Sequence, residues 1–296
     1  MSIAENLSID SNSTRAKILE KVNPDDFRWA IPVMRTGYAG RALVYLVVAG
    51  FSLWSIAQGG QAEGTKGVME TLKGEGMFVL VLIAIGMFAY AIWRLVDSIW
   101  DLEAYGTTGK GIIARGGMIV TGTVHAGIGV LALTALGATS AGEGGSGGLL
   151  SSIMSQSWGV WLIGLAGVLT ICAAVYYVHK GVTEGYRDSL MANHFTTHWN
   201  HVLKIGVLAQ GAVVGIIGFL ILYAAVQANP EQAGGLGAAF EWLRAQSYGS
   251  ILVAALCVGL LAFTVFCFVN ALYRIVPKAA DGDIESLRAH SKRQSD

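Results

Sequence analysis

Six long apolar stretches run through this chain, and shorter polar segments separate them. Each has about 20 residues, the length that a helix needs to cross roughly 30 Å of hydrocarbon. A single run of this kind also suits a helix buried in a soluble core. Six of them in 296 residues leave too little polar surface for a soluble fold, so the pattern predicts an all-α integral membrane protein. The predicted spans are 37–57, 77–93, 117–136, 158–178, 205–226 and 250–273.

The six spans form three copies of a two-helix unit. The first helix of each copy opens with a basic residue, one spacer and a glycine, and these openings lie 80 and 89 residues apart. A second set of glycines, Gly67, Gly148 and Gly237, recurs at 81 and 89 residues and begins a short segment with one apolar face. Equal periods at two independent places indicate an internal repeat with pseudo-threefold symmetry and three short interfacial helices. The predicted parts are a polar N-terminal segment (1–33), repeat 1 (34–106), repeat 2 (107–202), repeat 3 (203–277) and a polar tail (278–296).

Composition and charge fit this assignment and add an orientation. Hydrophobic residues make up 53% of the chain and charged residues only 14%. Of the 20 lysines and arginines, all but Lys66, Lys73 and Arg244 fall on the side of the two termini, so the positive-inside rule predicts that both termini are cytoplasmic. The first 34 residues lack the apolar segment of a signal peptide. We therefore expect contact with the lipid bilayer and no nucleic-acid partner.

Glycines recur within the spans, where small residues let helix backbones approach closely in lipid. The fifth span has four of them, and a six-helix protein offers partners within its own bundle. We therefore expect packing inside the bundle rather than contact with another chain. The four glycines are Gly206, Gly211, Gly215 and Gly218.

Several segments of this pattern resemble a known family. The last span contains GLLAF at 259–263 and closes with ALYRI at 271–275, and its counterpart in the first unit reads GMFAYAIWR at 86–94. With the three basic-x-Gly openings, these segments resemble the bacterial membrane family called domain of unknown function 1206. The middle unit departs most, with Lys180 where an arginine is expected. The resemblance implies a six-helix protein of the bacterial cytoplasmic (inner) membrane and implies no mechanism.

Polar residues recur near the predicted cytoplasmic ends of the second helices. Aligning these helices on their valines places Asp97, His179 and Asn270 at matching positions, and Arg94 lies three residues before Asp97, within reach along one helix face. These side chains either line a shared vestibule or snorkel to the headgroups, and their shallow position favours snorkelling.

Two histidine features stand apart from the repeat. His194, His198 and His201 lie at i, i+4 and i+7 on a predicted helix, a spacing that suits either a weak metal site or a pH-sensitive cytoplasmic surface. His125 lies deep in the third span without a counterpart in the other units. No second axial ligand lies at its depth, so we expect a hydrogen bond to a neighbouring helix rather than a haem, and we predict no cofactor.

The sequence contains no phosphate-binding glycine loop, no HExxH and no GxSxG, and we assign no catalytic residue. Its four prolines all lie outside the predicted spans, which argues against discontinuous transporter helices. The first hypothesis is a non-enzymatic scaffold or accessory subunit that contacts other membrane proteins. The second is a pathway for a small solute or ion along the axis of the three repeats, and a membrane-embedded enzyme is the weakest.

Overall fold

The computed structural model describes residues 27–74, 76–137, 152–156, 158–229, 234–278 and 286–295. Within these ranges the chain is helical and has no β-sheet, only isolated bridges. The helices are α1 (Ala30–Ala57), α2 (Thr65–Thr71), α3 (Met77–Trp100), α4 (Gly109–Ala135), α5 (Gly159–Val182), α6 (His194–His198), α7 (Asn200–Val226), α8 (Leu236–Arg244), α9 (Gly249–Tyr273) and α10 (Leu287–Ser295). Six of them, α1, α3, α4, α5, α7 and α9, are long and apolar enough to cross a membrane, and this confirms the predicted fold class.

Five of the six long helices extend beyond their predicted spans at one end of the bundle only; α9 ends where its span does. We call this the basic end, because it carries Arg35, Arg115 and Lys204, and we call the other the opposite end. α1 begins seven residues before its predicted span and α4 begins eight residues before, whereas the boundaries at the opposite end differ by about one residue. Apolar run length detects only the part of a helix that lipid covers. Polar residues continue these helices, and Thr108 caps α4 by accepting a hydrogen bond from the Gly111 amide.

The six long helices pack in the spatial order α5, α7, α9, α1, α3, α4. We call α1 and α3 unit 1, α4 and α5 unit 2, and α7 and α9 unit 3. Neighbouring units meet through α3 on α4, α5 on α7 and α9 on α1, so the units follow one another in a ring. The ring is incomplete, because α4 and α5 have no more than a marginal contact with each other.

The opening glycines show the same difference between the units. A Cβ added to Gly37 would lie 2.6 Å from Tyr90 Cα, and one added to Gly206 would lie 2.6 Å from the Ala262 carbonyl carbon. These backbones are therefore in direct contact, as the small-residue argument predicts. A Cβ added to Gly117, the matching glycine of unit 2, meets nothing within 4 Å.

The other glycines of α7 face unit 2 from the side. Gly211 lies against Val178 and Gly218 against Ile171, both at 2.9 Å from an added Cβ, and Gly215 lies 3.5 Å from Ala174. All four predicted packing glycines thus contact helices of the same chain. They hold α7 between α9 and α5.

Two of the three short interfacial segments are helices that close the opposite end. α2 buries Val68 and Met69 and packs on α1, α4 and α8, and α8 buries Ala239 and Phe240 against α7 and α9. The third segment begins at Gly148 and lies largely outside the described residues; its described part is helical over 152–154. The position of these helices in a membrane interface stays a prediction.

Between the units, the opposite half of the bundle is filled by apolar side chains. One continuous cluster joins residues of units 1 and 3, of α2, α4 and α8, and among the described residues α5 contributes none. Its central members are Val44, Val48, Leu80, Val213 and Leu260. The centre of this half is therefore solid, and α5 lies outside it against α7.

At the basic end, the connection after α5 and the C-terminal segment fold together. Leu287 of α10 is 0% exposed and packs in one cluster with Tyr186, Leu190 and Phe266. Its amide donates to the Leu190 carbonyl oxygen at 2.8 Å. We call this assembly of residues 185–199 and 286–295 the basic-end platform.

Candidate functional site: a polar cluster in the basic half

A buried ion pair joins unit 1 to unit 3 at the basic end. Glu103 follows α3 and Arg274 follows α9, and the Arg274 guanidinium donates two hydrogen bonds to the Glu103 carboxylate, at 2.6 and 2.8 Å. Both side chains are about 5% exposed. Burial alone raises the pKa of Glu103, but the charges of Arg274 and Arg94 and the hydrogen bonds from Arg274 outweigh it and bring the pKa to about 2. The carboxylate therefore stays ionised.

A second arginine, Arg94 on α3, binds the same carboxylate and two tyrosines. Its guanidinium donates to the hydroxyls of Tyr90 and Tyr38, both at 3.0 Å, and lies 3.6 Å from Asp97 and 3.8 Å from Glu103. Asp97 also accepts a hydrogen bond of 2.9 Å from the Glu103 amide. The end of α3 and the loop after it are thus held in one geometry.

Arg41 on α1 is the third arginine of the cluster and differs from the other two. Its side chain donates to Tyr90 Oη at 3.1 Å and to Tyr177 Oη of α5 at 3.4 Å, and Phe263 lies under the guanidinium at 5.0 Å. Arg41 is 4% exposed. Its Nε has no hydrogen-bond partner, and no described carboxylate lies within ion-pair distance. Arg41 is a buried cation held by hydroxyls and rings.

Comparison with known proteins adds the family. Three segments match the family described as Domain of Unknown Function (DUF1206), over residues 36–101, 116–184 and 205–274. The chain belongs to the DUF1206 family. A curated relative, "Uncharacterized protein YxxB" of Bacillus subtilis (strain 168), is 24% identical over 268 residues, which cover 88% of this chain and 98% of that protein. No solved structure matches significantly.

The predicted vestibule residues of this DUF1206 protein separate into two groups. Arg94, Asp97 and Asn270 belong to the buried cluster, and Asn270 accepts a 2.6 Å hydrogen bond from Arg274. Asp97 and Asn270 are 0% exposed, so they do not snorkel. His179 is exposed instead. The next residue, Lys180, lies within electrostatic range of Arg274, Glu103, Arg94 and Arg41.

His125 lies beside the cluster on α4. Its ring is 4.5 Å from the Tyr90 ring, and its Nδ1 is 2.7 Å from the Thr121 carbonyl oxygen. The hydrogen bond therefore forms within α4, one turn back, and the contact to the neighbouring helix is between rings. The sequence predicts a hydrogen bond from His125 to a neighbouring helix, whereas the observed one lies within its own helix.

The three histidines of the predicted cluster, His194, His198 and His201, lie on two helices rather than one. The continuous helix predicted over all three is wrong, because α6 ends at His198 and α7 begins at Asn200, which places His201 on α7. The rings of His194 and His198 are stacked, with centroids 5.9 Å apart. Over the described ranges, no three His, Cys, Asp or Glu side chains group closely enough to hold a metal. The metal site and the pH-sensitive surface stay predictions.

Sequence reasoning missed Arg41, because we counted it with the basic N-terminal segment. A signal was present: it lies four residues past Gly37, inside the first apolar run, and the matching positions of the other units are Thr121 and Gln210. A polar residue recurring at one depth of an apolar repeat indicates an inward-facing position.

Proposed function

We propose that this DUF1206 protein is a non-enzymatic scaffold or accessory subunit of a complex in the bacterial cytoplasmic membrane, with both termini in the cytoplasm. The observation that carries the proposal is the basic-end platform. The connection after α5 and the C-terminal segment fold onto each other there and form an ordered surface at the end that we place in the cytoplasm.

The platform is held by contacts from several directions. Arg288 pairs with Asp188 at 2.8 Å, and the Met191 amide donates to the Tyr273 carbonyl oxygen at 2.9 Å. Leu287 of α10 is fully buried in the apolar cluster that it shares with Tyr186, Leu190 and Phe266. A surface that is ordered by burial keeps one shape, and a partner that binds it loses little conformational entropy.

The packing of the bundle favours this role over a pathway. Apolar side chains fill the centre of the opposite half, and Glu103 and Asp97 are engaged by arginines. A pathway requires polar groups or water through the full thickness of the membrane. The polar cluster instead ends against Val44 and the other members of the apolar cluster.

The experiment is affinity purification of the tagged full chain from its native membrane in mild detergent, with identification of the co-purifying proteins. We expect a stoichiometric membrane partner. Leu287→Asp, which releases α10, should lose that partner, while Ala289→Asp on the exposed side of the same helix should keep it. Purification of the wild-type chain alone, or equal recovery of the partner with both variants, contradicts the proposal.

The second candidate function is the pathway for a small solute or ion. The excess of buried positive charge in the basic half favours it, since such charge attracts anions. Reconstitution into liposomes tests it directly. Anion flux that depends on Arg41 would support a pathway. It would also show that the apolar centre of the opposite half does not block passage.

A further inference from the structure

We infer that the protein binds a phosphate group between α4 and α5 near the basic end, with Arg41 and Lys180 as its cationic contacts. The inference is independent of the proposed scaffold role. It rests on a buried cation with no counter-ion among the described residues, on a second cation within electrostatic range of it, and on the opening in the helix ring between α4 and α5.

The buried cation is Arg41. Removing an ion from water costs several kcal/mol in a protein interior, and that cost is offset only when an opposite charge and hydrogen bonds complete the site. The hydroxyls of Tyr90 and Tyr177 supply partial charge, and the Arg41 Nε is left without a partner. An oxyanion would accept this N–H and neutralise the guanidinium.

The carboxylates of the described chain near this region are already engaged. Glu103 binds Arg274 and Arg94, Asp97 binds Arg94, and Asp101 pairs with Lys278 at 3.7 Å. The cluster therefore holds four cations, Arg41, Arg94, Arg274 and Lys180, against Asp97 and Glu103. Among the described residues this leaves an excess of two positive charges, which a bound anion would neutralise.

Lys180 provides the second contact. It lies on α5, next to the helix turn that carries Tyr177, and its ammonium lies 5.9 Å from the Tyr176 ring. It is partly buried, within electrostatic range of Arg41, and forms no ion pair among the described residues. An arginine and a lysine that approach from different helices suit a phosphate, which accepts hydrogen bonds on several oxygens.

The gap provides the entrance. α4 and α5 have no more than a marginal contact with each other, so the helix ring is open between them. Arg41 lies four residues past Gly37, which is about 6 Å along the helix axis from the basic edge. Arg41 is therefore only about one helical turn inside the apolar run, close enough to its basic edge for the phosphate of an anionic lipid to reach it sideways and for a free phosphate to reach it from the basic end.

The test is ligand-dependent thermal stability of the full chain, delipidated in a neutral detergent. The ligands are phosphatidylglycerol, phosphatidylcholine and inorganic phosphate. The variants are Arg41→Gln and, as a matched control, Arg35→Gln, which removes an exposed positive charge from the same end of α1. We expect the ligand to stabilise wild type and Arg35→Gln alike. Arg41→Gln should bind the ligand at least about tenfold more weakly than wild type, as expected for the loss of one charge-assisted contact.

The pattern across ligands identifies the source of the phosphate. Stabilisation by phosphatidylglycerol alone indicates a lipid headgroup, and stabilisation by inorganic phosphate indicates a free anion. If Arg41→Gln does not fold, Lys180→Gln replaces it, with the same expected loss. Equal responses of either variant and wild type, or no response of wild type to any of the three ligands, overturn the inference, because a merely structural arginine changes stability with and without ligand to the same extent.

Discussion

Units 1 and 3 each pack their two helices against each other, whereas the two helices of unit 2 stand apart. All three units begin with the same basic-x-Gly motif. In units 1 and 3 that glycine lies against the backbone of the second helix, at Tyr90 and at the Ala262–Phe263 peptide, and the side chains of Tyr90 and Phe263 are 0% exposed. In the valine alignment the residue of unit 2 that matches Tyr90 and Phe263 is Cys172, which is small and exposed. A glycine permits a close helix contact, but the same motif in unit 2 is not accompanied by one.

The units also differ in how their basic ends are tied. Glu103 and Arg274 join units 1 and 3 through a buried, bidentate pair. The corresponding acid after unit 2, Glu184, binds Lys204 and Arg187 at 3.2 and 2.9 Å in a partly exposed setting. Units 1 and 3 are thus tied to each other by a buried ion pair, whereas the opening in the ring lies between the two helices of unit 2.

The strongest test of this difference compares the two acids. Glu103→Gln leaves Arg274 buried without its counter-ion and should cost about 3–5 kcal/mol of unfolding free energy. Glu184→Gln removes a partly exposed pair and should cost no more than about 1 kcal/mol. Denaturant unfolding of the purified variants in detergent measures both. Equal losses would show that units 1 and 3 are not specially tied.

The pH dependence of the protein's stability should be governed by Glu103. Because its folded-state pKa is about 2, below the ordinary 4.5, Glu103 contributes its stability fully above pH 4.5 and loses it as the pH falls toward 2. Thermal stability of wild type should therefore drop in that window, and Glu103→Gln should drop less. An identical decline in both proteins would mean that other groups control acid unfolding.

Alanine at the opening glycines tests the packing directly. Gly206→Ala places a Cβ against the backbone of α9 and should destabilise the fold by about 1–3 kcal/mol. Gly117→Ala meets open space and should be neutral, or stabilising by up to about 1 kcal/mol through helix propensity. Midpoints of thermal unfolding report both changes. A large loss for Gly117→Ala would mean that α4 and α5 close on each other in the membrane.

A smaller loss of unfolding free energy is expected from alanine substitution at Asn270 and His179, two residues that the sequence alignment places at matching positions. Asn270→Ala removes the acceptor for Arg274 and should cost about 1–2 kcal/mol. His179→Ala changes an exposed side chain and should stay within about 0.5 kcal/mol. The same unfolding assay applies. Comparable losses would restore the threefold equivalence that the structure breaks.

The mildest test of the difference between units 2 and 3 is chemical labelling of their cysteines. The three cysteines divide by unit, since Cys172 of unit 2 is exposed and Cys257 and Cys267 of unit 3 are buried. A membrane-permeant maleimide should add to one thiol per native chain, and Cys172→Ala should abolish the addition. Intact-mass measurement counts the adducts, and denatured protein, in which all three react, serves as the control.

Much of the architecture follows from the sequence alone. Run length and glycine spacing determine the six helices and their three repeats, because crossing hydrocarbon with a satisfied backbone leaves few alternatives to a helix of that length. The apolar faces of α2 and α8 follow from their residue spacing in the same way. These are local properties, and each can be read from a single segment.

The tertiary structure alone decided which residues meet. That Glu103 and Arg274, 171 positions apart, form a pair depends on how unit 3 packs on unit 1. The rotation of α5 about its axis decides that His179 is exposed and that Lys180 lies near the cluster. The packing of α1 decides that Arg41 is buried away from every described carboxylate. A repeat in sequence prescribes equal helices, but the contacts between helices depend on shape complementarity between side chains far apart in the chain, and in unit 2 that complementarity is absent.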